Sequence, residues 1–352
     1  MRNSILIRLF TVLSVFAVVM TSLHLMLQMI ETGLFSRVDV TKNLLRYKYL
    51  MENETFAAAY YGSLDQSKLR RQSGHSSFPR MPPPLPLLRN LSSKVEAFLE
   101  EPVINPHPYG YLHNPEMMCG EKHVDILFVI PSAPENVWKR RKVRKSGLGL
   151  YSRLKSFKSV SVVFFLGLPD AHKKQANLTQ TIVCAEAEKY GDIVQENFTD
   201  VYRNIRLKAV SMLRWAATYC SNASYVIRMD DDVAITVNVI LSSIKIVGSR
   251  YDNFVLGDVK KDWGPSRYAK NKYYVTKAEF ANDTYPPFAL GGLLGYPLKT
   301  VRLLFEASLR VKPLWLDDVY ITGLCAPEID AVLVSDMGFR FRHLKEDVNG
   351  LI

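Results

Sequence analysis

The sequence predicts an α/β fold, a mostly parallel central sheet flanked by helices. Three observations carry this. Short apolar, β-branched runs alternate with stretches of helical periodicity between residues 124 and 229. Such alternation implies parallel strands covered by helices on both faces. The last run, Ser224-Tyr-Val-Ile-Arg-Met229, ends in three adjacent carboxylates, Asp230, Asp231 and Asp232. In open α/β sheets, ligands gather at the carboxyl ends of the strands.

The elements follow in order. Val124-Asp-Ile-Leu-Phe-Val-Ile130 reads as a strand closed by Pro131, and residues 135–150 as a basic helix. Ser159 to Leu166 is a second buried strand ending at Gly167. Thr179–Tyr190 reads helical, Asp192–Gln195 as a brief strand, and Val201–Tyr219 as a longer helix. In that helix Leu207, Val210, Leu213 and Ala217 recur at helical spacing.

The ends have a different character. Leu9–Ile30 is apolar and, at ~1.5 Å per residue, spans about 33 Å, the width of a bilayer's hydrocarbon core. A cleaved signal peptide is the rival, but its apolar region is shorter, ~7–15 residues. The reading is a tail at 1–8, a membrane anchor at 9–30, and a Pro- and Ser-containing stem at 31–118 that includes Pro79-Arg-Met-Pro-Pro-Pro-Leu-Pro86. The folded body is then 119–352. Basic residues flank the apolar segment on both sides and do not set its orientation. N-x-S/T sequons at Asn53, Asn90, Asn177, Asn197, Asn222 and Asn282 all follow it, which points to a lumenal body and a type II topology. Four cysteines, Cys119, Cys184, Cys220 and Cys325, allow two disulfides in three connectivities, or buried free thiols.

The formal net charge is +11. Part of it is the run Lys139-Arg-Arg-Lys142 with Arg144 and Lys145. Such a run is usually a solvated helix face, and here it also offers one or two side chains to an anionic nucleotide. A lumenal body without aromatic interleaving argues against nucleic acid.

The chemistry centres on the carboxylates. Three adjacent acids at a strand end repel one another, and a hard divalent cation relieves that penalty. Strand alternation puts Asp230 and Asp232 on one side and Asp231 on the other. No EF-hand spacing surrounds them, which weakens a calcium-binding adhesion or lectin reading. Tyr285-Pro-Pro-Phe-Ala-Leu-Gly-Gly292 places two glycines where backbone can approach a bulky ligand. Trp315-Leu-Asp-Asp-Val-Tyr320 sets paired carboxylates beside a Trp. Phe339-Arg-Phe-Arg-His343 ends in a lone His.

The order of these pieces resembles the inverting β-1,3-galactosyltransferase and N-acetylglucosaminyltransferase family, family 31 of the glycosyltransferases. The resemblance runs from about 119 to 345. It is densest at Gly191–Lys208, which is similar to D-I-I/V-Q-x-x-F-x-D-x-Y-x-N-L-T-x-K and is followed by Trp215, Cys220 and Asp230-Asp-Asp-Val233. Tyr285–Gly292 is similar to Y-P-P-Y-x-x-G-G, and Asp317-Asp-Val-Tyr320 to E/D-D-V-Y. The departures mark a divergent branch. Arg144-Lys-Ser-Gly147 lacks the Trp of R-x-T-W-G, and Ala234, Thr236 and Ala289 replace residues common in the family.

The resemblance implies a GT-A-type fold and a metal-dependent transfer of galactose or N-acetylglucosamine from UDP-galactose or UDP-N-acetylglucosamine. The acceptor is a glycan hydroxyl on a glycoprotein or glycolipid, and the product is β-1,3-linked with inversion. It makes Asp230 and Asp232 the D-x-D that holds Mn²⁺, with His343 completing the set, and Asp318 the catalytic base. Asp230, Asp231 and Arg144 are expected on the nucleotide side, and Trp263 and Trp315 either stack on sugar rings or belong to the core. The implied place is the Golgi membrane, single-pass type II, with the catalytic body lumenal. The alternative is a non-catalytic lumenal protein on the same fold that binds glycans or assists a transferase.

Overall fold

The computed structural model describes residues 88, 91–120, 123–153 and 160–341. The anchor, most of the stem and His343 lie outside them. All described residues belong to one compact unit, Phe78–Leu344. Among the described residues, no helix is long and apolar enough to cross a membrane.

The body begins earlier than the sequence predicts. Helix α1 (Ser93–Glu100) is capped by Ser92, whose Oγ accepts from the Val95 N–H, and it buries Val95 and Phe98. Strand β1 (Tyr111–His113) pairs antiparallel with β4 (Ile193–Thr199). Residues expected in the stem are therefore packed, because a few spaced apolar side chains suffice to dock a short helix against a core.

Beside β4 in the sheet come β3 (Val160–Leu168), β2 (Val124–Pro131) and β5 (Ala223–Met229). Beyond come β6 (Phe254–Gly257), the short pair β7 (Val259–Lys260) and β8 (Phe288–Ala289), β9 (Leu293–Pro297) and β10 (Val332–Ser335). Among the described residues, the main sheet has eight strands in the order β1-β4-β3-β2-β5-β9-β6-β10. Strands β4, β3, β2 and β5 run parallel, as do β6 and β10, whereas β9 opposes both neighbours. This is the expected α/β architecture with a mostly parallel sheet.

The expected basic helix is two, α2 (Val137–Lys145) and α3 (Gly147–Arg153), broken at Ser146, which leaves the helical region. With α4 (Ala176–Tyr190) and α6 (Val237–Gly248) they cover one face around Phe128, Phe164 and Ile227. Helices α5 (Ile205–Tyr219) and α7 (Leu298–Ser308) cover the other around Leu127, Phe165 and Trp215. Cys119 and Cys220 form a disulfide that ties the approach to β2 to the end of α5. Cys184 is exposed and Cys325 buried, both free.

The chain runs from β2 outward to β4, then crosses back to β5 on the other side of β2. The carboxyl ends of β2 and β5 thus form the topological switch point, where a doubly wound sheet opens a crevice.

Candidate active site

The carboxylates at the end of β5 occupy that switch point. Asp231 is turned inward and buried. Its Oδ2 accepts from Ser132 Oγ at 2.7 Å and from Asn136 Nδ2 at 2.9 Å, both just after β2. Asp230 and Asp232 each keep 30% of their side-chain surface exposed. The alternation expected along the strand therefore holds past its end. Lys139 of α2 reaches this cluster, with Nζ 2.9 Å from Asp232 Oδ2 and 3.4 Å from Asp231 Oδ1.

Arg228 is the pivot that the sequence reading missed. It sits inside β5, almost fully buried, between the two carboxylate segments. Its Nη1 lies 2.7 Å from Asp317 Oδ2 and its Nη2 3.5 Å from Asp230 Oδ1. The contact to Asp317 is coulombic rather than a well-aligned hydrogen bond, since that oxygen has no hydrogen-bond partner. An arginine in an apolar strand is itself a signal, because a buried guanidinium requires carboxylate partners.

Asp317 and Asp318 precede a π-type helical segment, Val319–Cys325. Asp318 caps it by accepting from the Val319 N–H at 2.8 Å. The Gly291 N–H also faces Asp318 and helps to hold its pKa down. The Gly-Gly pair is thereby explained. A Cβ on Gly291 would stand 3.0 Å from both Arg228 terminal nitrogens, and one on Gly292 would strike the Phe341 ring. Both glycines let the β9 approach close over Arg228, and the Gly292 carbonyl accepts from the Asp230 N–H at 3.0 Å.

Crowding shifts the acids. Burial first, and then the charges of Asp317, Asp232 and Asp231, push Asp230 up to about 6, against the pull of Arg228. Burial and Asp317 push Asp318 up to about 6 as well. Among the described residues, the ion pairs of the five carboxylates Asp230, Asp231, Asp232, Asp317 and Asp318 include those to Arg228 and Lys139. Surplus negative charge on oxygen donors fits a hard divalent cation. Among the described residues, no group of three or more His, Cys, Asp or Glu side chains is arranged to hold a metal ion. A cation held by Asp230 and Asp232 would draw its further donors from ligand oxygens, water or residues beyond 341.

Arg144 is committed elsewhere, contrary to its expected nucleotide role. Its guanidinium donates to Asp192 at 2.8 and 2.7 Å and to Glu186 at 2.6 Å, and it stacks on Tyr190. Neighbouring Arg140 is fully buried and also grips Glu186, at 3.0 and 2.7 Å. The basic run is therefore not one solvated face. Lys139, Arg140 and Arg144 turn inward, and Lys142 and Lys145 stay exposed. The Gly191–Lys208 stretch is supporting structure. Lys208 bridges Asp200, at 2.8 Å, to the Ser132 carbonyl, also at 2.8 Å. It thereby fixes the loop that holds Asp231. Trp315 is 9% exposed and walls the site, with the Arg203 guanidinium 4.5 Å from its ring centre, whereas Trp263 is 52% exposed.

The Galactosyltransferase family model matches residues 139–336. Beta-1,3-galactosyltransferase 1 of Homo sapiens and of Mus musculus is 29% identical over 237 residues, covering 67% of this chain and 70% of theirs. Lactosylceramide 1,3-N-acetyl-beta-D-glucosaminyltransferase of Xenopus tropicalis is 28% identical over 226 residues, covering 64% of this chain and 59% of its own. Among solved structures, the mannosyltransferase PcManGT from Pyrobaculum calidifontis, in complex with GDP-Man and Mn²⁺, superposes with a TM-score of 0.33 at 15% identity, covering 65% of this chain and 56% of its own. The matched segment runs from Lys139 to Asp336 and contains both carboxylate pairs with Arg228 between them, and the chain belongs to the Galactosyltransferase family, family 31 of the glycosyltransferases.

Proposed function

We propose that this chain is a metal-dependent, inverting UDP-sugar transferase of the GT-A type. It moves galactose or N-acetylglucosamine to a glycan hydroxyl in β-1,3 linkage on a glycoprotein or glycolipid. The observation that carries the reading is the meeting of Asp230–Asp232 with Asp317–Asp318 around Arg228 at the switch point of the sheet. Family membership supports it.

Asp230 and Asp232 would hold Mn²⁺, with His343 as a further ligand. Bound there, the cation would supply Lewis-acid stabilisation of the departing diphosphate. Asp231 does not ligate in this account. It orders the Ser132–Asn136 turn that borders the nucleotide side. Lys139 adds positive charge at the same mouth. Asp318 takes the proton of the attacking hydroxyl. With its pKa near 6 it is a stronger base than an ordinary Asp and is still ionised at neutral pH. Attack opposite the diphosphate inverts an α-linked donor to a β-linked product in one step, so no nucleophilic Ser or Cys is required. The proposed setting is a type II protein of the Golgi membrane: tail 1–8, anchor 9–30, stem up to α1 and a lumenal body. The non-catalytic alternative has less support, since every carboxylate the chemistry needs is present and grouped.

The test is UDP release by the full-length protein in detergent from a panel of UDP-sugars, with a mixed acceptor set and with or without Mn²⁺. Metal-dependent release from one sugar, lost in Asp232→Ala, is expected. A folded protein that binds UDP and releases none from any donor would overturn the reading.

A further inference from the structure

Residues 261–287 connect β7 to β8 without a regular element. Loops of this length inside a compact body are usually functional. This one is held rigid. Arg267 donates to the carbonyls of Val275, Phe280 and Asn282, each at 2.8 Å. The Tyr285 N–H closes the loop onto the Trp263 carbonyl at 2.8 Å.

The C-terminal end and the middle of the loop are fastened to the segment around Trp315 and Asp318. The Ala289 N–H donates to Thr322 Oγ1 at 2.8 Å, and that hydroxyl donates to the Asp318 carbonyl at 2.6 Å. On the other side Arg203 donates to the Tyr274 carbonyl at 3.2 Å while lying over the Trp315 ring. The Tyr202 ring stands edge-on to Trp315 at 5.7 Å. The loop therefore borders the proposed base rather than the nucleotide side, which Ser132, Asn136 and Lys139 define.

Its surface pairs aromatic rings with lysines. Trp263 is 52% exposed and Tyr273 46%, although apolar rings of this size are normally covered. The Lys260 ammonium sits 5.6 Å from the centre of the Trp263 ring and is paired with Asp258 at 2.9 Å, Lys261 follows it in the chain, and the Lys272 ammonium sits 4.6 Å from the centre of the Tyr273 ring. Lys261 and Lys272 are exposed and take part in no ion pair among the described residues. From 259 to 285 the sequence holds six cations, Lys260, Lys261, Arg267, Lys270, Lys272 and Lys277, against three anions, Asp262, Glu279 and Asp283. Exposed rings accept the C–H faces of sugars, and unneutralised ammonium groups beside them attract anionic substituents.

We infer that this loop is the acceptor subsite and that it selects a glycan carrying a carboxylate or sulfate, stacked on Trp263 and Tyr273 and paired with Lys261 and Lys272. The inference rests on the transferase reading. It extends it by naming the acceptor class.

The experiment is a binding titration of the full-length protein in detergent with lactose, 6′-sulfolactose and 6′-sialyllactose. The last two separate sulfate from carboxylate. Two exposed ammonium–anion pairs correspond to about a fivefold advantage of a charged probe over lactose. About 0.5 M NaCl should erase that advantage by screening. The double variant Lys261→Gln/Lys272→Gln should lose it while keeping its lactose and UDP affinities. Trp263→Ala should weaken all three sugars. Equal affinity for the three probes in the wild type overturns the inference, as does an advantage that survives the double variant. A fall in UDP affinity in that variant also overturns it, by moving the lysines to the donor side. UDP-sugar turnover without charge preference sinks this inference alone. Charge preference without turnover sinks the transferase reading and with it the acceptor role, leaving the loop only a binding surface for anionic glycans.

Discussion

Replacing Asp318 with Asn separates stability from catalysis. At neutral pH the wild-type carboxylate is ionised although burial and Asp317 hold its pKa at about 6, above the 3.8 of an ordinary Asp. A displacement of that size costs on the order of 3 kcal/mol when the group is charged. The sign follows from linkage. A raised folded-state pKa leaves the cost absent below about pH 4 and fully present above about pH 6. Asn removes the charge and keeps an oxygen for the Val319 N–H, but a neutral amide accepts that bond less strongly than a carboxylate, losing about 1 kcal/mol. The net gain is about 2 kcal/mol at pH 7.5, roughly 4–8 °C in melting temperature for a body of this size. Transfer should fall by about 10²–10⁴-fold, the usual contribution of a general base. Thermal melts of both proteins in chelator at pH 7.5 and pH 4.5, beside UDP-release kinetics at pH 7.5, read both effects. The stabilisation should shrink at pH 4.5. Wild-type turnover, or a lower melting temperature at pH 7.5, would refute the reasoning.

Other consequences are as specific. Arg228→Met leaves Asp317 and Asp230 without their shared cation and should destabilise the fold by about 3–5 kcal/mol in urea titrations; an unchanged midpoint removes Arg228 as the pivot. Gly291→Ala pushes a methyl against the Arg228 guanidinium and should reduce turnover more than stability, read by kinetics beside melts. Removing the Cys119–Cys220 disulfide, which spans a sequence separation of 101, should cost about 4–5 kcal/mol by loop entropy; equal urea midpoints for the oxidised protein and the double Ala variant contradict this. The turnover rate should fall as pH drops through about 6, where Asp318 takes up its proton, and a rate flat down to pH 5 contradicts the base assignment.

Much of the sheet was legible because parallel strands buried on both faces announce themselves as unbroken apolar runs. Strands β2, β3 and β5 fall within two residues of the expected bounds. Helix α1 was missed because its neighbours are Pro-rich, and two buried side chains leave little periodicity to read. The carboxylates stood out because three acids have no structural reason to follow a hydrophobic strand. Their organiser did not stand out. Arg228 looks like a blemish in that strand until Asp317, far along the chain, comes beside it. The basic run misled in one residue. Composition cannot tell Lys139, which reaches Asp232, from Arg144, whose donors are taken by Glu186 and Asp192. Lys208 lay within a recognised motif, but its link to the Ser132 carbonyl exists only once α5 packs under the end of β2.

The most direct test of the central claim is a product measurement. The full-length protein would be incubated with Mn²⁺, each UDP-sugar in turn and a panel of neutral and charged β-galactoside acceptors, and any new glycan read by NMR. The account predicts one donor and a product with a β-configured, 3-linked sugar, formed by the wild type and absent with Asp232→Ala or Asp318→Asn. An α-configured product, or the same product from the Asp318→Asn protein at the wild-type rate, would contradict it.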